Sequence, residues 1–347
     1  MLYVGLDVHA KESTFAFLAD GDPKPRTKTV RGPLRRIVEE LAKIKEPFEL
    51  AFEASNGYGP LYDMAAKMAK RVVVAHPGKL RLIFRSKNKN NPADAKALVQ
   101  LLRAGFLPEV YVPKPELRAW RRLIGHRVRL VGQRTRVKCT LRALLRGVGV
   151  EMPKGLWRKA GLAWLEALTL ESRGDTLMLK DYLAHLAYLN CAIRRAEHEL
   201  DRIARTHPAV VLLRTIPGVG PRTAEALVAW VGDPRRFASI KAVGNYFGLV
   251  PCEDSSGSHR HFGHITHEGP AVVRRLLNQS AWQAIRHSPH VRAVYDRIRR
   301  DDPERRKIAL VATMHYLARV MVTMLRTGET WDPEAHGRPA ACKPVEN

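Results

Sequence analysis

Short apolar segments alternate with helical patterns over residues 1–112, and this alternation constrains the fold more than any other feature of the chain. Leu2, Val4 and Leu6 alternate with Tyr3 and Gly5, as the residues of a half-buried strand do. Further strands are predicted at 13–19, 26–30, 48–54, 71–77 and 109–113, and helices at 33–44, 60–70 and 92–104. The pattern predicts an α/β layer that opens with a three-stranded meander.

Beyond Pro115 the chain changes to long helical patterns. The segment 116–146 contains ten Lys or Arg and one Glu, with apolar residues at helical spacing. A second long helix at about 175–205 is predicted to pack against it as an antiparallel pair. A third, mostly helical piece follows, and we expect the last twenty residues, rich in Pro and Gly, to be a disordered tail. The predicted divisions are 1–114, 115–206, 207–327 and 328–347.

The charge balance points to a polyanionic partner. The chain has 59 Lys plus Arg against 34 Asp plus Glu, a net charge of +25 and a pI near 10.3. Nucleic acid is the favoured partner, and a basic membrane-binding face is the alternative. No window approaches 18 uninterrupted apolar residues and the start lacks signal-peptide features, so we expect a cytoplasmic protein without a membrane partner. Four dispersed cysteines without a CxxC pair indicate neither a disulfide framework nor a cysteine zinc site.

Three acids lie at the ends of predicted strands or at the start of a predicted helix. Asp7 ends the first strand, Glu53 ends the fourth, and Asp94 lies in the first turn of a helix that Asn91 is predicted to cap. Each has an ordinary explanation, as a turn residue or as a carboxylate that favours the helix dipole. Their order is nevertheless that in which ribonuclease H-like folds gather carboxylates around Mg²⁺, where two ions about 4 Å apart hold the attacking and leaving oxygens of a phosphodiester.

Two motifs follow in the last third of the chain. The segment TIPGVGPRTAEALVAWVG is typical of a helix-hairpin-helix turn, in which Gly218 and Gly220 let backbone N–H groups approach a phosphate. A plain helix–helix turn is the alternative. A Ser-Ser-Gly sequence then lies in a loop dense in His and Arg, and an Arg-bearing helix follows it. By itself the serine pair is typical of a flexible turn, and its histidines favour a basic loop near phosphate over a metal site.

The combined motifs resemble one known family. They are VGLDVHAKEST, FEASNGYG, NPADAKALVQLL, IPGVGPRTAEALVAWVG, SSG, GHITHEG and RRLLNQSA, and they run from residue 1 to about 327. Their order is similar to that of the DEDD transposases of bacterial insertion sequences, in the family labelled one-ten, which are bridge-RNA-guided serine recombinases. The NNPADA stretch resembles the eleven-eleven subgroup.

This resemblance implies a RuvC-like ribonuclease H fold, a helical coiled-coil segment and a mostly helical transposase domain. It implies Asp7, Glu53 and Asp94 as Mg²⁺ ligands and Ser256 as the nucleophile, with Ser255 as the lesser candidate. The partners it implies are a guide (bridge) RNA, target and donor DNA, and further copies of the chain in a dimer or tetramer. Predicted nucleic-acid contacts, from the basic helices, the hairpin and the serine loop, are Gly218, Gly220, Arg222, His259, Arg260, Arg274, Arg275, Arg118, Arg121 and Arg122.

The sequence departs from the family at one acid. Where the family has a fourth acid three residues before Asp94, this chain has Asn91, a neutral and weaker ligand. The sequence leaves three explanations of Asn91 open. The site works with three acids, the enzyme is naturally weakened, or an inactivating replacement of aspartate by asparagine has been introduced. Two other functions stay open as well: a metal-only nuclease such as a junction resolvase, which needs no serine, and a non-catalytic nucleic-acid-binding protein.

Overall fold

The computed structural model describes residues 1–55, 57–83, 91–254 and 261–336. The chain divides into two compact units, Met1–Pro115 and Glu116–Asn347. The elements of the first unit are β1 (Leu2–Val8), β2 (Glu12–Ala19), β3 (Arg26–Arg31), α1 (Leu34–Leu41), β4 (Phe48–Glu53), α2 (Tyr58–Ala65), β5 (Arg71–Ala75), α3 (Pro77–Ile83) and α4 (Asn91–Ala104).

A five-stranded mixed sheet forms the centre of the first unit, in the order β3-β2-β1-β4-β5. The first three strands are an antiparallel meander, and β4 and β5 run parallel to β1. This confirms the predicted opening of the fold. The strand order fits the RuvC-like α/β fold that the resemblance implies. The second unit, which follows in sequence, is mostly helical.

The two faces of the sheet are covered by different helices. On one face Leu6 and Phe52 pack against Ile37 of α1 and Leu61 of α2. On the other face Ala95 and other residues of α4 pack against β2. Since side chains alternate between the faces of a strand, every second residue of β1 and β4 points toward α4.

Two predictions of local structure in this unit were wrong. The segment 109–113 forms no strand: only Glu109 makes an isolated bridge, to Ala75, because Pro108 and Pro113 flank it and neither has an N–H to donate. Helix α3 forms between the strand predicted at 71–77 and the helix predicted at 92–104, where the sequence predicted no helix. Helix α4 is described from Asn91 onward, and residues 84–90 before it lie outside the described residues, so the predicted capping role of Asn91 stays a prediction.

The second unit is mostly helical. Its elements are α5 (Pro115–Gly147), α6 (Lys159–Ala167), α7 (Arg173–Ala204), α8 (Pro208–Leu213), α9 (Pro221–Val231), α10 (Ala242–Tyr246), β6 (Pro251–Glu253), β7 (Phe262–Ile265), α11 (Ala271–His287), α12 (Pro289–Arg299), α13 (Arg306–Thr327) and α14 (Pro333–His336). Short 3₁₀ turns occupy Pro234–Arg236 and Pro303–Arg305.

Helices α5 and α7 pack as an antiparallel pair, as predicted. Leu141 of α5 and Leu186 of α7 belong to the same buried apolar cluster. Arg127 Nη2 donates to Glu197 Oε1 at 2.6 Å, which ties the start of one helix to the end of the other. The role of this pair in oligomer assembly stays a prediction.

Helix α13 is the central helix of the second apolar core. Within the described ranges, Pro303–Thr327 is the one helical stretch that is long and apolar enough to cross a membrane, by length and composition. Its apolar residues, among them Leu317 and Met321, are buried in the cluster formed with α8, α9 and α11. The apolar character of α13 is therefore used in packing, as in the core helices of many globular proteins.

The predicted tail was wrong over residues 328–336. Trp331 N donates to Thr215 Oγ1 at 3.0 Å, and its ring lies edge-on to His290 with centroids 6.1 Å apart. These contacts attach the segment to the turn after α8 and to α12, because a half-buried aromatic ring helps to offset the entropy of ordering a few residues. Residues 337–347 lie outside the described residues.

Glu225 is a carboxylate in the core of the second unit. It is 0% exposed, and burial raises its pKa from 4.5 to about 7 against the opposing charge of Arg222, whose Nη2 lies 3.1 Å away. Between these two pH values the folded protein keeps a proton that the unfolded chain has released. Stability therefore falls as the pH rises from about 4.5 to 7.

We expect Glu225→Gln to remove this pH dependence. Across the interval from pH 4.5 to 7, wild type should lose about 3 kcal/mol more unfolding free energy than the variant, from roughly 1.4 kcal/mol per pKa unit. Urea unfolding of both proteins at pH 5 and pH 8 measures the difference. An identical pH dependence of the two proteins would show that Glu225 does not titrate in this range.

Candidate carboxylate site and nucleic-acid interface

Asp7 and Glu53 lie side by side at one edge of the sheet. The parallel register pairs Leu6 with Phe52, so the next residue of each strand is the acid. Both acids share the phase of Gly5 and Ala51, whose strands face α4 on this side. The carboxyl ends of parallel strands are where open α/β sheets place their functional groups.

Asp94 approaches the same edge because α4 lies close to β1. A Cβ on Gly5 would stand 2.4 Å from Ala95 O and 2.7 Å from Val99 N. Only glycine allows the helix backbone to lie so near the strand. The contact at Ala95 brings its neighbour Asp94 near Asp7, which lies two residues beyond Gly5 and feels the charge of Asp94.

The three acids affect one another electrostatically. Burial raises the pKa of the Asp7 carboxyl, and the charges of Asp94 and Glu53 raise it further. His9 opposes this shift: its Nε2 lies 3.1 Å from Asp7 Oδ2 in a hydrogen bond. Asp7 is 16% exposed and His9 is 52% exposed, so the pair sits at the rim of the sheet. His9 was not among the site residues predicted from the sequence, although the spacing Asp7-Val8-His9 is visible there.

The donor chemistry fits a hard divalent cation, although a closed ligand shell is not formed. Two carboxylates whose charges raise the pKa of Asp7 create, together with it, the negative field that such a cation neutralises. In the described part of the chain, however, no group of three His, Cys, Asp or Glu side chains is close enough to hold a metal ion as it stands. Mutual repulsion is a sufficient physical reason for carboxylates to stand apart.

Asn91 lies one helical turn before Asp94 on α4. Residues three apart share a helix face, so Asn91 occupies the position from which a fourth ligand would approach. A cavity of about 470 Å³ opens near the same end of the sheet. Its lining includes Phe52, Tyr58 and His9, but none of the three acids.

The residues on either side of the serine motif form two paired strands of the second unit. Strands β6 and β7 pair antiparallel, and Asp254 N donates to His261 O at 2.9 Å across the base of the loop. Ser256 and Ser255, together with His259 and Arg260, lie outside the described residues. Their predicted roles therefore stay predictions.

Arg274 holds the base of this hairpin. Its Nη1 donates to Phe247 O at 3.1 Å and to Glu268 O at 2.5 Å, on the two sides of the hairpin. The two sides also approach closely, since a Cβ on Gly248 would lie 2.1 Å from Glu268 O. Burial lowers the pKa of Arg274. This residue, predicted to contact nucleic acid, is thus engaged within the protein.

The neighbouring Arg275 is exposed and provides a matched control. We expect Arg274→Ala to lower the unfolding free energy by about 1.5–3 kcal/mol, the usual value for hydrogen bonds to a charged group. Arg275→Ala should leave stability within about 0.5 kcal/mol, as surface substitutions do, and weaken nucleic-acid binding. Thermal unfolding and filter binding of both variants test this. Equal stability of the two would remove the anchoring role.

The two glycines of the predicted hairpin turn have different surroundings. Gly218 has φ +86°, and a Cβ there would lie 2.3 Å from Ala284 N of α11. Gly220 precedes α9, and a Cβ there would meet nothing within 4 Å. The close packing against α11 therefore explains why residue 218 is glycine, whereas the space around Gly220 is unoccupied by other atoms of the described residues within 4 Å of a Cβ. Arg222 donates to Asp201.

The three predicted arginines of α5 also differ. Arg121 donates through Nε to Ala229 O at 2.8 Å and through Nη2 to Trp230 O at 3.0 Å, so it caps the end of α9. Arg118 is half-buried and Arg122 is exposed. Of the three, Arg122 has the most accessible side chain for phosphate.

A cluster of basic residues on α5 was not among the sites predicted from the sequence. Arg134, Lys138 and Arg142 follow one helix face at four-residue spacing. Lys138 and Arg142 lie over the ring of Trp157, at 4.9 and 5.5 Å from its centroid. Burial lowers the pKa of Lys138, and the two arginines lower it further. The four-residue spacing is the signal by which the sequence reveals this cluster.

Comparison with known proteins identifies the family. The IS110-type DEDD transposase family matches residues 4–150, and the Transposase IS116/IS110/IS902 family matches residues 210–296. A putative transposase of Sinorhizobium fredii, y4pF/y4sB, is 26% identical over 86% of this chain and 78% of its own length. The transposase for insertion sequence element IS1111A of Coxiella burnetii is 30% identical over 58% of this chain and 56% of its own.

Among solved structures, RuvC of T. thermophilus in complex with a Holliday junction substrate overlaps 32% of this chain and 99% of its own, with 13% identity and a TM-score of 0.24. The family matches cover the carboxylate-bearing unit and the helices around the serine hairpin, in the order that the sequence motifs predict. The chain belongs to the IS110 family of DEDD transposases.

Proposed function

We propose that this transposase is an RNA-guided DNA recombinase that cuts and rejoins strands through a phosphoserine intermediate, with Mg²⁺ held by Asp7, Glu53 and Asp94. The observation that carries the proposal is the convergence of three acids at one sheet edge, where two of them raise the pKa of the third. That arrangement is costly in a folded protein unless the charge is used.

The carboxylates supply the negative field for a hard cation. When bound, Mg²⁺ would polarise a phosphate oxygen and stabilise charge on the leaving oxygen. His9 orients Asp7 through its hydrogen bond, and Gly5 fixes the distance of Asp94 by admitting α4 against β1. Asn91 would offer a neutral oxygen in place of a fourth acid.

Ser256 performs the covalent step in this proposal. Its Oγ forms a bond to phosphorus as the bond to one bridging oxygen of the DNA breaks, and the departing strand end takes up a proton. A hydroxyl of the incoming strand then displaces the serine. Since each step exchanges one phosphoester for another, bond energy is conserved and no nucleotide cofactor is required. Arg274 anchors the backbone on both sides of the chain segment that contains the serine.

Guidance by RNA agrees with the charge distribution. A net charge of +25 supplies phosphate contacts without sequence preference, and base pairing by a guide RNA would supply the choice of target and donor DNA. The cluster of Arg134, Lys138 and Arg142 offers one such phosphate surface. We propose that the active species is a cytoplasmic dimer or tetramer.

Sequencing of the RNA that co-purifies with the full chain tests RNA guidance. One discrete structured RNA, retained at moderate salt, is the expected result. The same transposase, purified from cells that lack the RNA of its insertion element, provides the background. A random population of cellular fragments would instead favour a metal-only nuclease or a simple nucleic-acid-binding protein.

A further inference from the structure

Two cavities of the second unit adjoin at a single tryptophan. One, of about 410 Å³, lies between α11, α12 and the start of α13. The other, of about 530 Å³, lies between the α9 turn and α11. The half-buried indole of Trp282 lines both. A planar aromatic surface therefore stands between two open clefts.

The first cavity combines aromatic rings with cations. Trp282 and Tyr295 have ring centroids 6.0 Å apart, and the guanidinium of Arg306 lies 5.1 Å from the centroid of Trp282. The cavity is lined by four arginines against two aspartates. Both aspartates are near Arg299, at 3.7 Å for Asp296 and 2.9 Å for Asp301. The remaining lining arginines, all exposed, are Arg286, Arg292 and Arg306.

The second cavity is of different character. Its lining arginines are engaged by carboxylates, as Arg127 is by Glu197 and Arg222 is by Asp201. The exposed amides of Gln279 and Gln283 complete the lining with neutral donors and acceptors. Such groups suit the edge of a nucleobase better than an isolated anion.

We propose that Trp282 is a stacking platform for an unpaired nucleotide, whose phosphates are neutralised by Arg286, Arg292 and Arg306. Stacking on an aromatic ring beside a cationic groove is the general chemistry of single-stranded nucleic-acid binding. The Arg306 guanidinium lies over the indole of Trp282, so a stacked base would take its place on the ring. The displaced guanidinium would then lie next to the phosphate of the same nucleotide. Bases inside a duplex are already stacked, so the platform selects unpaired segments. The inference rests on the proposed nucleic-acid partner and names where that partner is read.

Single-strand binding by Trp282 variants of the full chain tests the platform. The probes are an unstructured dT oligonucleotide, the matching rU oligonucleotide and a DNA duplex of the same length, at one fixed KCl concentration. Trp282→Leu keeps an apolar side chain without the ring and should weaken single-strand binding by about 5- to 150-fold, the range for one stacked base. Trp282→Phe should lose less, and duplex affinity should change less than about twofold.

Trp164→Leu is the matched control, because Trp164 is also half-buried but lies in α6, outside both cavities. Loss on rU alone identifies RNA as the source of the nucleotide, loss on dT alone identifies DNA, and loss on both identifies a shared platform. Unchanged single-strand affinity, or an equal loss on the duplex or in Trp164→Leu, would overturn the inference. Failure of RNA co-purification would count against RNA guidance without affecting this result.

Discussion

Asp7→Asn is expected to abolish strand cleavage while leaving the folded protein at least as stable as wild type. The amide keeps the size of the side chain and can still accept the hydrogen bond from His9. Burial and two neighbouring acids raise the pKa of Asp7, so its charge is unfavourable in the folded state. Removing the charge relieves repulsion but removes a ligand, and we expect a loss of about 10²–10³-fold or more in cleavage.

Glu49→Gln is the matched control for this substitution. Glu49 lies on β4, in the same phase as Glu53, and its Oε2 is 3.7 Å from Arg71 Nη1. It should retain cleavage. Both variants are compared by thermal unfolding and by cleavage of labelled DNA over a Mg²⁺ titration, with Asn91→Asp as the parent if the present chain is inactive. A destabilised Asp7→Asn protein that still cleaves DNA would contradict both parts of the expectation.

Ser256→Ala is expected to abolish formation of joined products by at least about 10³-fold, as removal of a covalent nucleophile does. Binding of RNA and DNA should remain, because neither requires the hydroxyl. Ser255→Ala is the control, with the same change in size one residue earlier. The measurement is amplification of recombinant junctions from a donor and target pair. Comparable loss in both variants would assign the effect to the loop and not to one nucleophile.

The local parts of this structure are readable from the sequence. Alternation of Leu2, Val4 and Leu6 predicts a strand on which these three side chains share one face, and it places Asp7 on the other face at the strand end. The same phase relation places Glu53. Amphipathic periodicity likewise predicts α5 and α7, because their shared core repeats at helical spacing. Helix and strand periods are properties of neighbouring residues, so no tertiary contact is needed to see them.

What the sequence does not reveal depends on distant contacts. Arg274 and Arg275 are adjacent and identical in type, yet only the fold decides that Arg274 binds the carbonyls of the hairpin base. The same holds for Arg121, whose partners lie more than a hundred residues away. The cavities at Trp282 arise where three helices meet. The type of a residue predicts the chemistry of its side chain, but the partners of that side chain follow from the packing of the fold.

The most direct test of the account is the detection of a covalent protein–DNA adduct. End-labelled DNA is incubated with wild type, Ser256→Ala and Asp7→Asn in the presence of the guide RNA, and then resolved on a denaturing gel. We predict a slowly migrating labelled adduct with wild type that is absent from both variants, since one lacks the nucleophile and the other a carboxylate needed for attack. Cleavage by Ser256→Ala at near-wild-type rates without an adduct would contradict the serine mechanism and assign the reaction to a metal-only nuclease.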